Sequence, residues 1–286
     1  MRIGTTLFAT GAETIGELKA AAAEVQALDS AWTNQRPGGW DPLAVLPALD
    51  GGPRELGTAV VPTYPQHPVT LATSALTVQA QTGGRLTLGI GPSHELAMTG
   101  WYGIPYTAPA RHTREYLEVL RPLLRGEHVR HSGEFFKVDL GLEVEAPAPP
   151  VLLAALGPRM LEVARDLADG TVVVWTRPDT VADYLVPRLA GDSRVVVSAM
   201  VAVTHDPDAV HESVARQFGA AGELPAYRAM LDRGGLSGPA DTVIAGDETL
   251  VLKEIQRFRD AGATDFIGTP VGARQPVLDV LAQARG

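Results

Sequence analysis

A chain of 286 residues with no cysteine carries 24 lysines and arginines against 33 acidic residues, a formal charge of −9 at pH 7. That charge argues against a general binder of nucleic acid or of membrane surfaces, both anionic, and the missing thiols exclude disulfides, thiolate catalysis and cysteine–zinc sites. Hydrophobic residues at 45% and charged residues at 20% fit a globular protein, no apolar run approaches the length of a membrane span, and the lack of cysteine fits the cytoplasm.

The opening MRIGTTLFATGAET lacks the apolar stretch of a secretory signal and reads as a first strand over 2–8. Alanine-rich 13–28 predicts a helix, 30–33 a brief strand and 42–49 a short helix. A third strand opens at 56–61 with small and β-branched residues, then meets Pro62, Pro65 and Pro68, which have no N–H for a sheet ladder. Helix formers fill 68–81, RLTLGIG at 85–91 is a fourth strand, and 111–125 is amphipathic, with Tyr116, Leu117, Leu120 and Leu124 at helical spacing. EHVRHSGEFFKVD, 127–139, reads as a hairpin turned at Ser132–Gly133, and EAPAPP, 145–150, as a stiff connector. Alternation then resumes: strand 151–156, helix 158–168, strand 171–175, helix 180–189, strand 194–203 and a long helical region over 207–232. GGLSGPADTVIAGD, 234–247, reads as a loop, 248–261 as a helix and TDFIG, 264–268, as a last strand.

Eight strand–helix units with one insertion, between strands four and five, predict parallel strands joined by right-handed crossovers. Their number and spacing favour a closed (β/α)8 TIM barrel, and nothing resembling an interdomain linker interrupts 1–286. Chemistry in such a barrel sits where strands end, here at 5–10, 33–36, 60–67, 91–95, 156–160 and 175–177. These stretches show no metal-ligand spacing, no Ser-His-Asp order, no GxGxxG and no Walker sequence. They offer small residues, prolines, glycines and amides, which suit a flat ring better than a nucleophile.

RIGTTLF, ELGTAVVPTYPQHPVTLA, GGRLTLGIG, PVLLAALGPRMLEVARDLADGTVVVW and IAGDETLVLKEIQRFRDAGATDFI occur in this order over nearly the whole chain. Together they make it resemble the luciferase-like monooxygenase superfamily, in the branch that uses the deazaflavin coenzyme F-420. The resemblance implies one luciferase-like barrel domain over 1–286, hydride transfer to or from a small organic substrate, and a homodimer. It implies a non-prolyl cis peptide at Ala59–Val60 backing the coenzyme ring, and a loop along the coenzyme after Gly91. It also places the coenzyme phosphate on LGPRM, with Leu156, Gly157, Arg159 and Met160 as its candidates and Arg177 as a second basic candidate. A helix N-terminus suits that anion, because its first N–H groups are unpaired.

Two positions depart from the sugar-phosphate dehydrogenases of that branch. His94 stands where they carry a glutamate, and Gln35 where they carry a histidine, which argues against that activity and leaves hydride transfer intact. His94 is a candidate proton carrier or a solvated loop histidine. Asn34 and Gln35 are candidates to hydrogen-bond the ring edge. Trp101 and Tyr102 either cover the substrate or anchor their loop; Trp32 and Trp175 either line the pocket or fill the barrel mouth. His67 reads as a packing or capping residue and His112 as a surface residue. Two alternatives stay open: a reduced-FMN monooxygenase of the same fold, and a flavin-binding barrel without turnover.

Overall fold

Short aliphatic runs, each followed by a helix, assemble as the alternation predicts; a computed structural model describes residues 1–7, 13–49 and 51–285. Strands β1 (Arg2–Thr6), β2 (Ser30–Thr33), β3 (Glu55–Thr58), β4 (Leu86–Gly91), β5 (Val151–Leu153), β6 (Gly170–Val174), β7 (Arg194–Val203) and β8 (Asp265–Pro270) run parallel. β8 pairs with β1 in register Arg2↔Asp265, which closes the barrel. Around it lie α1 (Ile15–Glu24), α2 (Pro68–Gln81), α3 (Pro109–Leu124), α4 (Pro158–Leu167), α5 (Pro207–Gly222), α6 (Pro225–Arg233), α7 (Glu248–Asp260) and α8 (Arg274–Arg285). None of the described helices is long and apolar enough to cross a membrane.

Side-chain alternation sorts each strand between two cores. Val195 and Val197 of β7 join the large cluster under the helices, whereas Val196 turns inward to meet Trp32, Leu152, Val172 and Ile267. Trp32 is fully buried there and its indole N–H donates to the Ser30 hydroxyl at 2.8 Å, so it fills the barrel. At the opposite end from the strand exits, Arg194 meets Asp265 at 2.6 Å and Glu55 at 2.7 Å, and Arg2 reaches the same two carboxylates.

Several boundaries depart from the periodicity. The third strand stops at Thr58 and resumes as Val61–Pro62, which pairs with β4. The fifth ends at Leu153, and residue 8 of the first lies outside the described residues. The helical region 207–232 is two helices, because Leu224, before Pro225, is extended. Over 180–189 the chain forms wide and tight turns ending at Arg188. Part of the expected loop 234–247 is a strand, Ile244–Gly246, since ten-residue β7 outruns the barrel and offers its last residues a partner. Helix α8, with Val277, Leu278, Val280 and Leu281 buried, follows the last strand and adds an element beyond those expected from the periodicity.

Between α3 and β5 an antiparallel hairpin pairs Val129–Ser132 with Lys137–Leu140, and its turn occupies 133–136, two residues longer than Ser132–Gly133 alone. Buried Glu115 of α3 holds that turn. Its carboxylate accepts the N–H groups of Glu134, Phe135 and Phe136 at 2.7–3.0 Å and bonds His131 Nε2 at 3.1 Å. Gly133 is required by this close approach, as a Cβ there would stand 2.0 Å from the carboxylate. Burial alone would raise the Glu115 pKa, but the N–H donors of Phe136 and Phe135 outweigh it and hold the group below its ordinary value. Glu115→Ala leaves three N–H groups without their acceptor and should lower stability by about 2–3 kcal/mol. Urea denaturation measures this; a change under about 0.5 kcal/mol would show that the clamp is dispensable.

Candidate active site at the barrel mouth

Where the strands end, small side chains leave the barrel open. The Ala59–Val60 peptide is cis, as the resemblance implies. Ala59 N–H donates to Thr33 O at 2.6 Å and Gln35 N–H to Val60 O at 3.3 Å, which ties the bulge to the end of β2. Gly89 lets β4 approach it: a Cβ there would lie 1.9 Å from Thr58 O. The result is a cavity of about 780 Å³ floored by Val60, Gly91, Ala154, Val172 and Ser198. A Cβ on Gly91 would stand 2.9 Å from that of Ala154 and 3.2 Å from the Val60 side chain, so these three residues lie together only because position 91 is glycine.

One wall is LGPRM. Gly157 is the N-cap of α4, with extended backbone and no side-chain cap; Pro158 has no N–H and the Met160 N–H donates to Gly157 O at 3.1 Å, which leaves the Arg159 N–H without a helical partner at the helix start. Leu156, Gly157, Arg159 and Met160 all line the cavity. Across from them stand Ser93, His94, Tyr106 and Tyr227. His94 stacks obliquely on Tyr227 at 4.5 Å, and Tyr227 in turn meets Trp175 at 4.3 Å. Burial lowers the His94 pKa, which favours the neutral imidazole. Burial pushes the Tyr227 phenol up to about 12 and raises that of Tyr106, whose hydroxyl donates to Ser93 O at 3.1 Å.

Ala59, Val60, Gly91, His94, Leu156, Gly157, Arg159 and Met160 are thus brought together around one space. Asn34, Gln35 and Arg177 are not among its lining residues. Asn34 is exposed at the end of β2, the Gln35 side chain meets Gln66 at 3.5 Å, and Arg177 lines a neighbouring pocket. Trp101 and Tyr102 are exposed, at 64% and 38%, on a wide-turn helix beyond His94. His67 caps α2, its Nδ1 accepting from Val69 N–H at 3.3 Å.

His112 corrects the expectation of a surface residue: it is buried and stacked on Tyr64 at 4.0 Å, with Phe135 and Phe136 edge-on. The hairpin folds back over this side of α3, which helical periodicity alone does not reveal. Sequence reasoning also missed Ala154, Ser198 and Tyr227. Ala154, just past the end of β5, and Ser198, midway along β7, carried a weak signal as small residues within aliphatic runs; Tyr227, on a helix after β7, carried none. Among the described residues no group of histidines and acids is placed to hold a metal ion.

A (β/α)8 barrel with a flat apolar cavity at its strand exits, flanked by an uncapped helix start and a neutral histidine, is a small-molecule-binding barrel of the enzyme type. The chain belongs to the luciferase-like monooxygenase family, whose model matches residues 6–285. It is 29% identical over 264 residues to a 5,10-methylenetetrahydromethanopterin reductase of Archaeoglobus fulgidus, covering 76% of this chain and 77% of that one. It is 27% identical over 323 aligned positions to a Mycobacterium tuberculosis protein provisionally named a coenzyme F-420-dependent oxidoreductase, with 92% of each chain covered. Among solved structures, an F-420-dependent secondary alcohol dehydrogenase in complex with an F-420–acetone adduct superposes with a TM-score of 0.78 at 18% identity, over 99% of this chain and 98% of that one.

Proposed function

We propose that this protein is an oxidoreductase that binds coenzyme F-420 at the barrel mouth and passes a hydride between the deazaflavin and a small organic substrate. The observation that carries this reading is the floor of Val60, Gly91 and Ala154, flat and apolar beneath an open cavity. The names of the two relatives that match over most of the chain support it. The residues fit the group: the floor accepts a ring face, and the open start of α4 accepts a phosphate. When bound, the coenzyme supplies the hydride chemistry at its C5.

The chain's own residues do the rest. Ala59 and Val60 press on one ring face, Gly91 admits the ring, and Leu156, Gly157, Arg159 and Met160 hold the phosphate. Asn34 and Gln35 stand at the end of β2 outside the residues that line the cavity, so a bond to the ring edge would need their side chains to turn from solvent and from Gln66. Arg177 stands beyond Pro158 as a second cation for the anionic end. His94 takes a proton from the substrate, or returns it, at a ring nitrogen, while Tyr106 and Tyr227 keep water out. The reading extends to one domain over 1–286 and, through the resemblance, to a homodimer; the cysteine-free composition favours the cytoplasm.

Titration of the purified protein with F-420, followed by deazaflavin fluorescence, should saturate at micromolar concentration or below. Absence of saturable binding would overturn the reading. The family's description as monooxygenases supports a second one, a reduced-FMN-dependent oxygenase. Oxygen uptake with reduced FMN and no saturable F-420 binding would favour that alternative, and FMN binding without turnover a carrier.

A further inference from the structure

A second pocket, of about 730 Å³, adjoins the first, and Pro158 lines both. Three arginines surround it: Arg177 after β6, Arg188 at the end of the following turns and Arg233 at the end of α6. Arg188 and Arg233 both stack on the ring of Tyr184, at 4.2 and 4.4 Å from its centroid. Each spends one N–H on a carbonyl of its own segment, Tyr184 O and Ala229 O, and none of the three arginines forms an ion pair among the described residues. Two acids share the lining; Asp179 is engaged by Arg257 at 3.5 Å, and Asp183 alone stands unpaired against three guanidiniums. The Tyr184 hydroxyl donates to Leu156 O at 3.1 Å, so this platform is fastened to the wall of the barrel-mouth cavity.

Guanidiniums held close without carboxylate partners repel one another, and a chain of net charge −9 has acids to spare for pairing them. Stacking on an aromatic ring fixes their planes and leaves their outer N–H groups free, the arrangement that suits phosphate or carboxylate oxygens. We infer that Arg177, Arg188 and Arg233 around Tyr184 form a binding site for a multiply charged anion, a phosphate or a cluster of carboxylates. Its ligand is either a free anion or the anionic end of the molecule in the barrel mouth, reaching over Pro158.

The test starts without any coenzyme. Calorimetric titration with pyrophosphate and with triglutamate at low ionic strength should show saturable binding that weakens as salt is added. The Arg188→Gln/Arg233→Gln protein should bind at least tenfold more weakly at an unchanged melting temperature, and Tyr184→Leu, which removes the platform, should lose affinity as well. No saturable anion binding, or equal affinity in the double variant, would overturn the inference whatever the fate of the F-420 reading. A second arm separates the sources by comparing F-420 with its fragment lacking the phosphate and carboxylates. A preference for the full coenzyme that vanishes in the double variant identifies the anionic end of that ligand. An unchanged preference, with the free-anion binding still lost, identifies a separate anion.

Discussion

Arg194→Met should lower the stability of the barrel by about 3 kcal/mol, seen as a shift of the urea midpoint with little change in slope. Arg194 lies at the start of β7 with its side chain 14% exposed, and it faces Asp265, 2% exposed, and Glu55, 15% exposed. These carboxylates belong to β8 and β3, so one guanidinium ties three strands across the closed end of the barrel. Methionine keeps much of the volume and removes the charge, which leaves Asp265 with Arg2 and the Thr264 hydroxyl as partners. Breaking a buried pair from one side is the costly case, because the remaining carboxylates keep their desolvation with only Arg2, itself partly exposed, as counter-charge. Removing both sides in Arg194→Met/Asp265→Asn should therefore be less damaging than the sum of the single changes. Additive effects would show that the network does not couple these strands.

Acid should destabilise the wild type through His112 by about 3 kcal/mol between pH 6.5 and 4. Burial pushes this imidazole down to about 4, and Glu115, one turn along α3, only partly offsets it. As pH falls through that window the unfolded chain takes up a proton that the folded chain refuses, so stability is complete above pH 6.5 and lost towards pH 4. Below pH 4 both states are protonated and this contribution changes no further. The geometry gives the reason: the ring lies flat on Tyr64 among Phe135 and Phe136, and its buried Nδ1 has no partner. His112→Phe suits the same aromatic surroundings and cannot titrate. The difference between the two proteins' denaturation free energies from pH 7.5 to 4 isolates the histidine from the carboxylates that both share. Parallel curves would mean that His112 charges freely in the folded state.

The barrel was legible because its signal is repeated. Eight aliphatic runs, each broken by glycine or proline and followed by a helix, have few other ways to close, although the third leaves its ladder after Thr58 and Pro62 still pairs with Gly91 of β4. What escaped lies where partners come from far along the chain. Ile244–Gly246 becomes a strand only because β7 is long enough to receive it, and His112 is buried only because a hairpin 20 residues later folds over it. At the site, the strand-exit residues from Ala59 to Met160 could be gathered from sequence, since topology alone brings strand ends together. Tyr227 and the Arg188–Tyr184–Arg233 stack could not, because they depend on how α6 and the turns after β6 lie against the barrel rim.

The central claim is that a planar coenzyme rests on the floor made by Val60, Gly91 and Ala154. Ala154→Phe raises that floor into the open cavity rather than into the packed core. Fluorescence titration of F-420 against wild type and Ala154→Phe should show affinity falling by at least about 100-fold, some 2.7 kcal/mol, at an unchanged melting temperature. Equal affinity in the two proteins would contradict the placement of the ring on this floor.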